Sequence, residues 1–261
     1  MKSRKVLLFI FFLVVGVVSH AEQITVACAS NFSGAMKEIV AVFEQQSGHQ
    51  VNLVFGSSGR IYAQIKNGAP FDIFFSADQQ KPMALATEGL IVSHSRFTYA
   101  LGALVLWSSN PAVNVEQAEV VRQHNYTKLA IANPKLAPYG RAAVEALDSL
   151  GLSDASRNKW IQGENIAQTF QFVSTGNAEI GFVALSQVTV DGEIKNGSGW
   201  IVPSSLYSPI KQDVVLLRKA EQSEAARALL DFVQGQQGQR IIEAFGYQHS
   251  SIEIIDVPYG P

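Results

Sequence analysis

One recurring unit constrains this chain more than any other feature. A short apolar run is followed by a loop of small polar residues and then by an amphipathic helix. Residues 24–27 read as a strand, and Ser30, Asn31 and Ser33 follow. Met36, Ile39, Val40 and Phe43 then recur at helical spacing until Gly48. Residues 51–55 repeat the strand, Ser57 and Ser58 the loop, and Ile61 and Ile65 a helical stripe ending at Gly68. Runs at 73–75, 129–132, 180–183 and 213–217 predict further strands. Val144, Leu147 and Leu150 mark a helix closed by Gly151; Ile166, Phe170 and Val173 mark one closed by Gly176. Leu229, Val233, Ile242 and Phe245 belong to closing helices.

Strands that alternate with helices build right-handed βαβ units, and hence α/β sheets covered on both faces. Two long strands, near 99–107 and 209–218, bracket the middle of the chain and are long enough to cross between lobes. The expected architecture is therefore two α/β lobes, each a mainly parallel sheet flanked by helices. Residues 22–100 and 208–261 form the first lobe and residues 101–207 the second. Ligands of such folds lie beyond the carboxyl ends of the strands, where helix N-termini point.

Residues 1–21 are a different material. Lys2, Arg4 and Lys5 precede an almost wholly apolar stretch over 6–18, and Ser19-His20-Ala21 offers small residues for cleavage after Ala21. This is the pattern of a secretory signal peptide. The apolar stretch is shorter than the roughly 18–20 residues of a spanning helix. The whole chain carries a formal net charge of −2, and losing the leader cations makes the remainder more acidic still. A basic footprint for nucleic acid is absent. At 47% hydrophobic and 16% charged the composition is that of a globular protein. Cys28 is the sole cysteine, so no internal disulfide forms, and its strand position predicts a buried apolar role. His49, His94, His124 and His249 have no metal-ligand spacing.

The chemistry lies in four strand-to-helix loops: "ASNFSGAM", "FGSSGRI", "NPKLAPYGRAAVEAL" and "QGENIAQTF". Taken singly, each is explained by capping, since Ser and Asn are preferred N-caps and Pro favours a first turn. Taken together they suggest an anion site. A helix N-terminus carries free N–H groups and roughly half a unit of positive charge. Hydroxyls and the Tyr139 phenol add donors without a full charge. Arg60 and Arg141 follow two of the loops and compete as direct ligands, with solvent as the favoured alternative. Asp72 and Asp78 read either as an acid–base or metal pair, or as a loop buttress and a helix cap.

The blocks "ITVACASNFSGAMKEI", "VFGSSGRIYAQIKNGAPFDIFFSAD", "ANPKLAPYGRAAVEALDSLG" and "FVQGQQGQRIIEAFGY" resemble the periplasmic molybdate-binding proteins of ABC transporters. The second block is the most specific, and the similarity covers nearly all the chain after the leader. The resemblance implies a type II periplasmic-binding-protein fold that closes on a tetrahedral oxyanion, molybdate or tungstate, in a monomer without cofactor or catalysis. Molybdenum would enter only as the oxyanion, with no protein atom bonded to the metal. The implied partner is a membrane permease with its ATPase, and the implied location is the periplasm. Carried over by position, the ligand residues are Ser30, Asn31, Ser58, Tyr139 and the backbone N–H of Ile166, with Ser57 and Gly140 secondary. Asp72 and Asp78 become scaffold. One departure stands out: many relatives carry a tyrosine where this chain has Ala184, and a small residue where it has Tyr139. One phenol is inferred to have replaced the other. Sulfate, phosphate or a small carboxylate is the alternative ligand. A secreted phosphate-ester hydrolase lacks a nucleophile–base arrangement here, and a cleft-bearing sensor domain shares the same fold reading.

Overall fold

The structure, a computed structural model, describes residues 21–190 and 192–248. The expected signal peptide, apart from Ala21, and the chain beyond 248 lie outside the described residues.

In chain order the first part comprises β1 (Gln23–Ala29), α1 (Ser33–Ser47), β2 (Gln50–Gly56), α2 (Ser58–Lys66), β3 (Ile73–Phe75), α3 (Gln80–Thr87) and β4 (Phe97–Gly102). A single 3-10 turn, Ser30–Phe32, leads into α1. The middle comprises β5 (Leu104–Ser108), α4 (Glu119–Arg122), β6 (Leu129–Ala132), α5 (Pro138–Ser149), α6 (Ser153–Ser156), β7 (Trp160–Gly163), α7 (Ile166–Ser174), β8 (Ile180–Ala184) and α8 (Leu185–Val188). A small hairpin of β9 (Thr189–Val190) and β10 (Glu193–Ile194) and the strand β11 (Ser198–Ile201) follow. The chain ends with β12 (Ile210–Leu216), α9 (Glu224–Gln234) and α10 (Gln236–Ala244).

The strands form two five-stranded sheets, ordered β2-β1-β3-β12-β4 and β11-β5-β8-β6-β7. In the first, β1 pairs in parallel with β2 and β3, while β12 runs against β3 and β4. In the second, β6 pairs in parallel with β7 and β8, while β5 runs against β8 and β11. Each sheet thus has one reversed strand, and the reversed strands are those by which the chain enters: β5 into the second sheet and β12 back into the first. This is the two-lobed α/β fold expected from the alternating pattern, each sheet mixed and mainly parallel as expected.

The run over 99–107 is not one strand. Its first part ends β4 at Gly102, and its second begins β5 at Leu104, opposite Ala184 of the other sheet. Periodicity cannot register this change of partner, because both halves are equally apolar and buried on both faces. The return crossing runs from the end of β11 to Ile210, which pairs with Gly102.

The period of two along each strand builds a core on either face of the first sheet. Val26, Cys28 and Phe75 pack with Met36, Ile39 and Phe43 of α1 and Leu229 and Val233 of α9. Ala27, Phe74 and Val215 point the other way, onto Ile61 and Ile65 of α2 and Leu85 of α3. In the second sheet Leu104, Leu106, Ile131 and Phe182 pack on the alanine-rich face of α5. Cys28 is fully buried, and burial pushes its thiol pKa well up, as an inert core residue requires.

Candidate functional site

The parallel strands of both sheets end at one cavity. It is lined by Ala29, Ser30 and Asn31 after β1, Gly56, Ser57 and Ser58 after β2, Ala77 after β3, Ala137, Pro138 and Tyr139 before α5, and Ile166 at the start of α7. The cavity volume is about 10 Å³. Sites for organic ligands generally run to roughly 300–1,000 Å³, so this one is far too small for an organic ligand. Among the described residues no charged one lines it.

Three helices reach the cavity with bare N-termini. The turn that begins α1 follows Ala29, and α5 follows Ala137, neither of which has a capping side chain. Ser57 occupies the N-cap position of α2 with extended backbone, yet its hydroxyl caps nothing. That hydroxyl is buried and makes no hydrogen bond among the described residues. A buried unpaired hydroxyl costs about 1–3 kcal/mol, so its retention here points to a partner from outside the chain. Capping, the ordinary explanation of this serine, therefore does not hold.

The other donors are arranged to the same end. Ser58 Oγ accepts from the Ala77 N–H at 2.9 Å, which leaves its own hydrogen to donate. Ser30 is buried at the head of its turn, where the Asn31 N–H has no helical acceptor. Asn165 caps α7, accepting at 3.0 Å from both Ala167 and Gln168 N–H groups, and so leaves the first N–H of the helix, that of Ile166, open. Tyr139 is 1% exposed and its phenol pKa is driven well up by burial, which keeps it a protonated, neutral donor. Gly140 lets α5 come this close: a Cβ there would lie 2.2 Å from the Ala132 carbonyl oxygen. It acts by its missing side chain.

The structure redistributes some roles. Asn31 was a candidate side-chain donor, but its amide donates to Gln212 Oε1 at 2.8 Å and to the Tyr247 hydroxyl at 3.0 Å. Only its backbone N–H remains for the cavity. Ser57, a secondary candidate from the sequence, is a buried hydroxyl of the cavity lining left without a partner among the described residues. Ala184 ends β8, paired with Leu104, and does not line the cavity. Arg60 is exposed and pairs with Glu164 across the lobes, while Arg141 reaches Gln80 Oε1 at 2.9 Å and lies near Glu145. Asp72 accepts from the Thr25 N–H at 2.7 Å and pairs with Lys219. Asp78 accepts from the Lys81 N–H in the first turn of α3. Both carboxylates are scaffold. Gln212 and Ser186 carry no motif, and Tyr247 closes the block "FVQGQQGQRIIEAFGY" without a role assigned from the sequence. Ser186 Oγ donates to the Asn31 carbonyl at 2.9 Å, and Tyr247 joins both, 216 positions from Asn31.

The lobes meet around this cavity through a Gly59 N–H to Leu136 carbonyl bond of 2.9 Å. A Cβ on Gly59 would stand 3.0 Å from Leu136, so glycine permits the approach. Among the described residues no group of His, Cys, Asp and Glu is placed to hold a metal ion.

Fold and site together define a two-lobed α/β solute-binding protein with a neutral, donor-lined cleft. Residues 24–248 match the family described as bacterial extracellular solute-binding proteins. The molybdate-binding protein ModA of Azotobacter vinelandii is 50% identical over 229 residues, 88% of this chain and 91% of that one. Its counterpart from Rhodobacter capsulatus is 45% identical, over 87% of this chain and 88% of that one. A solved structure of the A. vinelandii periplasmic molybdate-binding protein superposes with a TM-score of 0.84 at 37% identity, covering 87% of this chain and all of that one. This chain belongs to the molybdate-binding protein family within the bacterial extracellular solute-binding proteins. That membership makes it a binding component of transport, not an enzyme.

Proposed function

We propose that the chain captures molybdate, and tungstate with it, in the interlobe cavity and delivers it in the periplasm to an ABC-type membrane permease. The carrying observation is the buried, unpartnered Ser57 hydroxyl in a cavity without charged walls. Ser30 Oγ, Ser57 Oγ, Ser58 Oγ, Tyr139 Oη and the N–H groups of Asn31 and Ile166 are the proposed donors. A hydrogen bond to a charged group contributes roughly 1.5–3 kcal/mol, so a handful outweighs the rigid-body freedom lost on binding, several kcal/mol or more. Molybdate and tungstate share charge and nearly share size, so neutral donors hold both. Sulfate is smaller and leaves its oxygens short of some donors. In this reading residues 22–100, with the chain from 208 onward, move as one lobe and residues 101–207 as the other. The anion stabilises the closed arrangement because only there do donors from both lobes reach it.

Calorimetric titration of the protein with molybdate, tungstate and sulfate tests this. Tight binding of the first two and weak binding of sulfate is expected; tight sulfate binding without molybdate binding would refute the reading. Tyr139→Phe should weaken molybdate by about 1–3 kcal/mol, and an unchanged affinity removes the phenol from the donor set.

A further inference from the structure

The Tyr139 phenol reaches the cavity by a long side chain, so the direction of its hydrogen must be fixed by something else. Its oxygen lies 3.4 Å from Gln212 Nε2. Gln212 is fully buried on β12, where the pairing with β4 shifts register between Gln212 and Asp213. Its Oε1 accepts from Asn31 Nδ2 at 2.8 Å and lies 3.1 Å from the Tyr99 hydroxyl. With the oxygen end engaged, the NH2 end faces Tyr139. A phenol oxygen that accepts from an amide keeps its own hydrogen for another acceptor. Gly102 closes the other side, since a Cβ there would lie 2.1 Å from Tyr139 Oη and 2.7 Å from Gln212 Nε2.

We propose that Gln212 is the positioning residue of the anion site, holding the Tyr139 phenol as a donor aimed into the cavity and tying it to the Asn31 loop. The inference rests on the reading of Tyr139 as an anion donor. Gln212 belongs to the first sheet and Tyr139 to α5 on the second, so this orientation is imposed only when the lobes are together. An amide is the group this role needs: it accepts at one end and donates at the other. An ionised carboxylate accepts at both ends and would take the phenol hydrogen for itself. A thioether does neither job well.

The test titrates molybdate by calorimetry into the wild type, Tyr139→Phe, Gln212→Met, the double variant and Gln212→Glu, with thermal unfolding followed in parallel. Gln212→Met should weaken binding about tenfold, the effect of misplacing one hydrogen bond to a charged group. On the Tyr139→Phe background the same change should cost clearly less, because Gln212 acts through the phenol. In Gln212→Glu, affinity should be poorest near pH 8 and recover as pH falls, since a protonated carboxyl regains a donor and burial brings its titration toward neutrality. The wild type, measured beside it, supplies the pH baseline. Full additivity of Gln212→Met with Tyr139→Phe would overturn the positioning role. Should Gln212→Met fail to fold, a Gln212→Glu profile parallel to the wild type would overturn it instead. An unchanged affinity in Tyr139→Phe would overturn the underlying donor reading, a distinguishable result.

Discussion

At the start of α9 the chain supplies its own anion, whereas among the described residues none reaches the starts of α1, α2 and α5. Ser223 Oγ caps α9 by accepting from the Ala226 N–H at 3.1 Å. The Glu22 carboxylate completes that end, taking the Ser223 hydroxyl at 2.6 Å and the N–H groups of Glu224 and Ala225 at 3.3 Å. The Ser223 hydroxyl, foremost among these contacts, holds Glu22 below the usual carboxylate pKa. A helix N-terminus favours negative charge by its free N–H groups and dipole, and α9 shows that preference met from within. The cavity helices have the same preference, unmet among the described residues, on buried loops whose serines line the cavity. Under the proposed function, the difference separates a stabilising end from a receiving one.

Converting one kind of end into the other should produce the largest effect. Ser57→Asp puts an anion at the N-cap of α2, where Asp is a good cap, and so copies the Glu22 arrangement inside the cavity. Two unit charges of one sign 4 Å apart repel by about 4 kcal/mol at an effective dielectric of 20, so calorimetry should detect no molybdate binding while the fold survives. Next comes Ser57→Ala. Because the hydroxyl caps nothing and is buried unpaired, the ligand-free variant should melt no lower than wild type and gain up to about 1–3 kcal/mol, while affinity falls by about 1.5–3 kcal/mol. The mirror image is Ser223→Ala, which should cost about 1 kcal/mol of stability in denaturant unfolding and leave molybdate affinity untouched. If Ser57→Ala lost stability and kept affinity, as Ser223→Ala should, the comparison would collapse.

Two smaller effects sharpen the contrast. The folded-state pKa of Glu22 is depressed below its ordinary 4.5. Its contribution is therefore complete above that value and disappears as pH falls through the depressed one. The stability difference between wild type and Glu22→Gln should be largest near neutrality and shrink in that acid window, by urea unfolding at several pH values. Arg60 and Glu164 bridge the lobes at the surface, about half exposed each. Arg60→Ala should change molybdate affinity by under about 1 kcal/mol, and less at high salt. A larger, salt-insensitive loss would mean that the arginine turns into the cleft.

Much of this is legible in the sequence alone. Alternating periods of two and 3.6 gave strands and helices at close to their observed places, because each βαβ unit is locally encoded. Small polar loops at the strand ends located the cavity for the same reason. What stayed hidden was set over long range. Gly102 and Leu104 lie two positions apart yet belong to different sheets. The side chain of Asn31 turns from the cavity because Gln212, 181 positions later, arrives as its acceptor. Ser57 could not be separated from an ordinary N-cap by its identity, only by the absence of a cap bond. Trp160–Gly163 was missed as a strand because it is short and only its last residue is fully buried.

In the proposed function, uncharged donors from both lobes hold the oxyanion. A crystal structure of the molybdate complex addresses it most directly. Ligand oxygens should lie within hydrogen-bond reach of the Ser57 and Ser58 hydroxyls, the Tyr139 phenol and the Ile166 N–H, with Arg60 and Arg141 still facing outward. A complex in which either arginine contacts the anion, or in which the Ser57 hydroxyl turns back to cap α2, would contradict it.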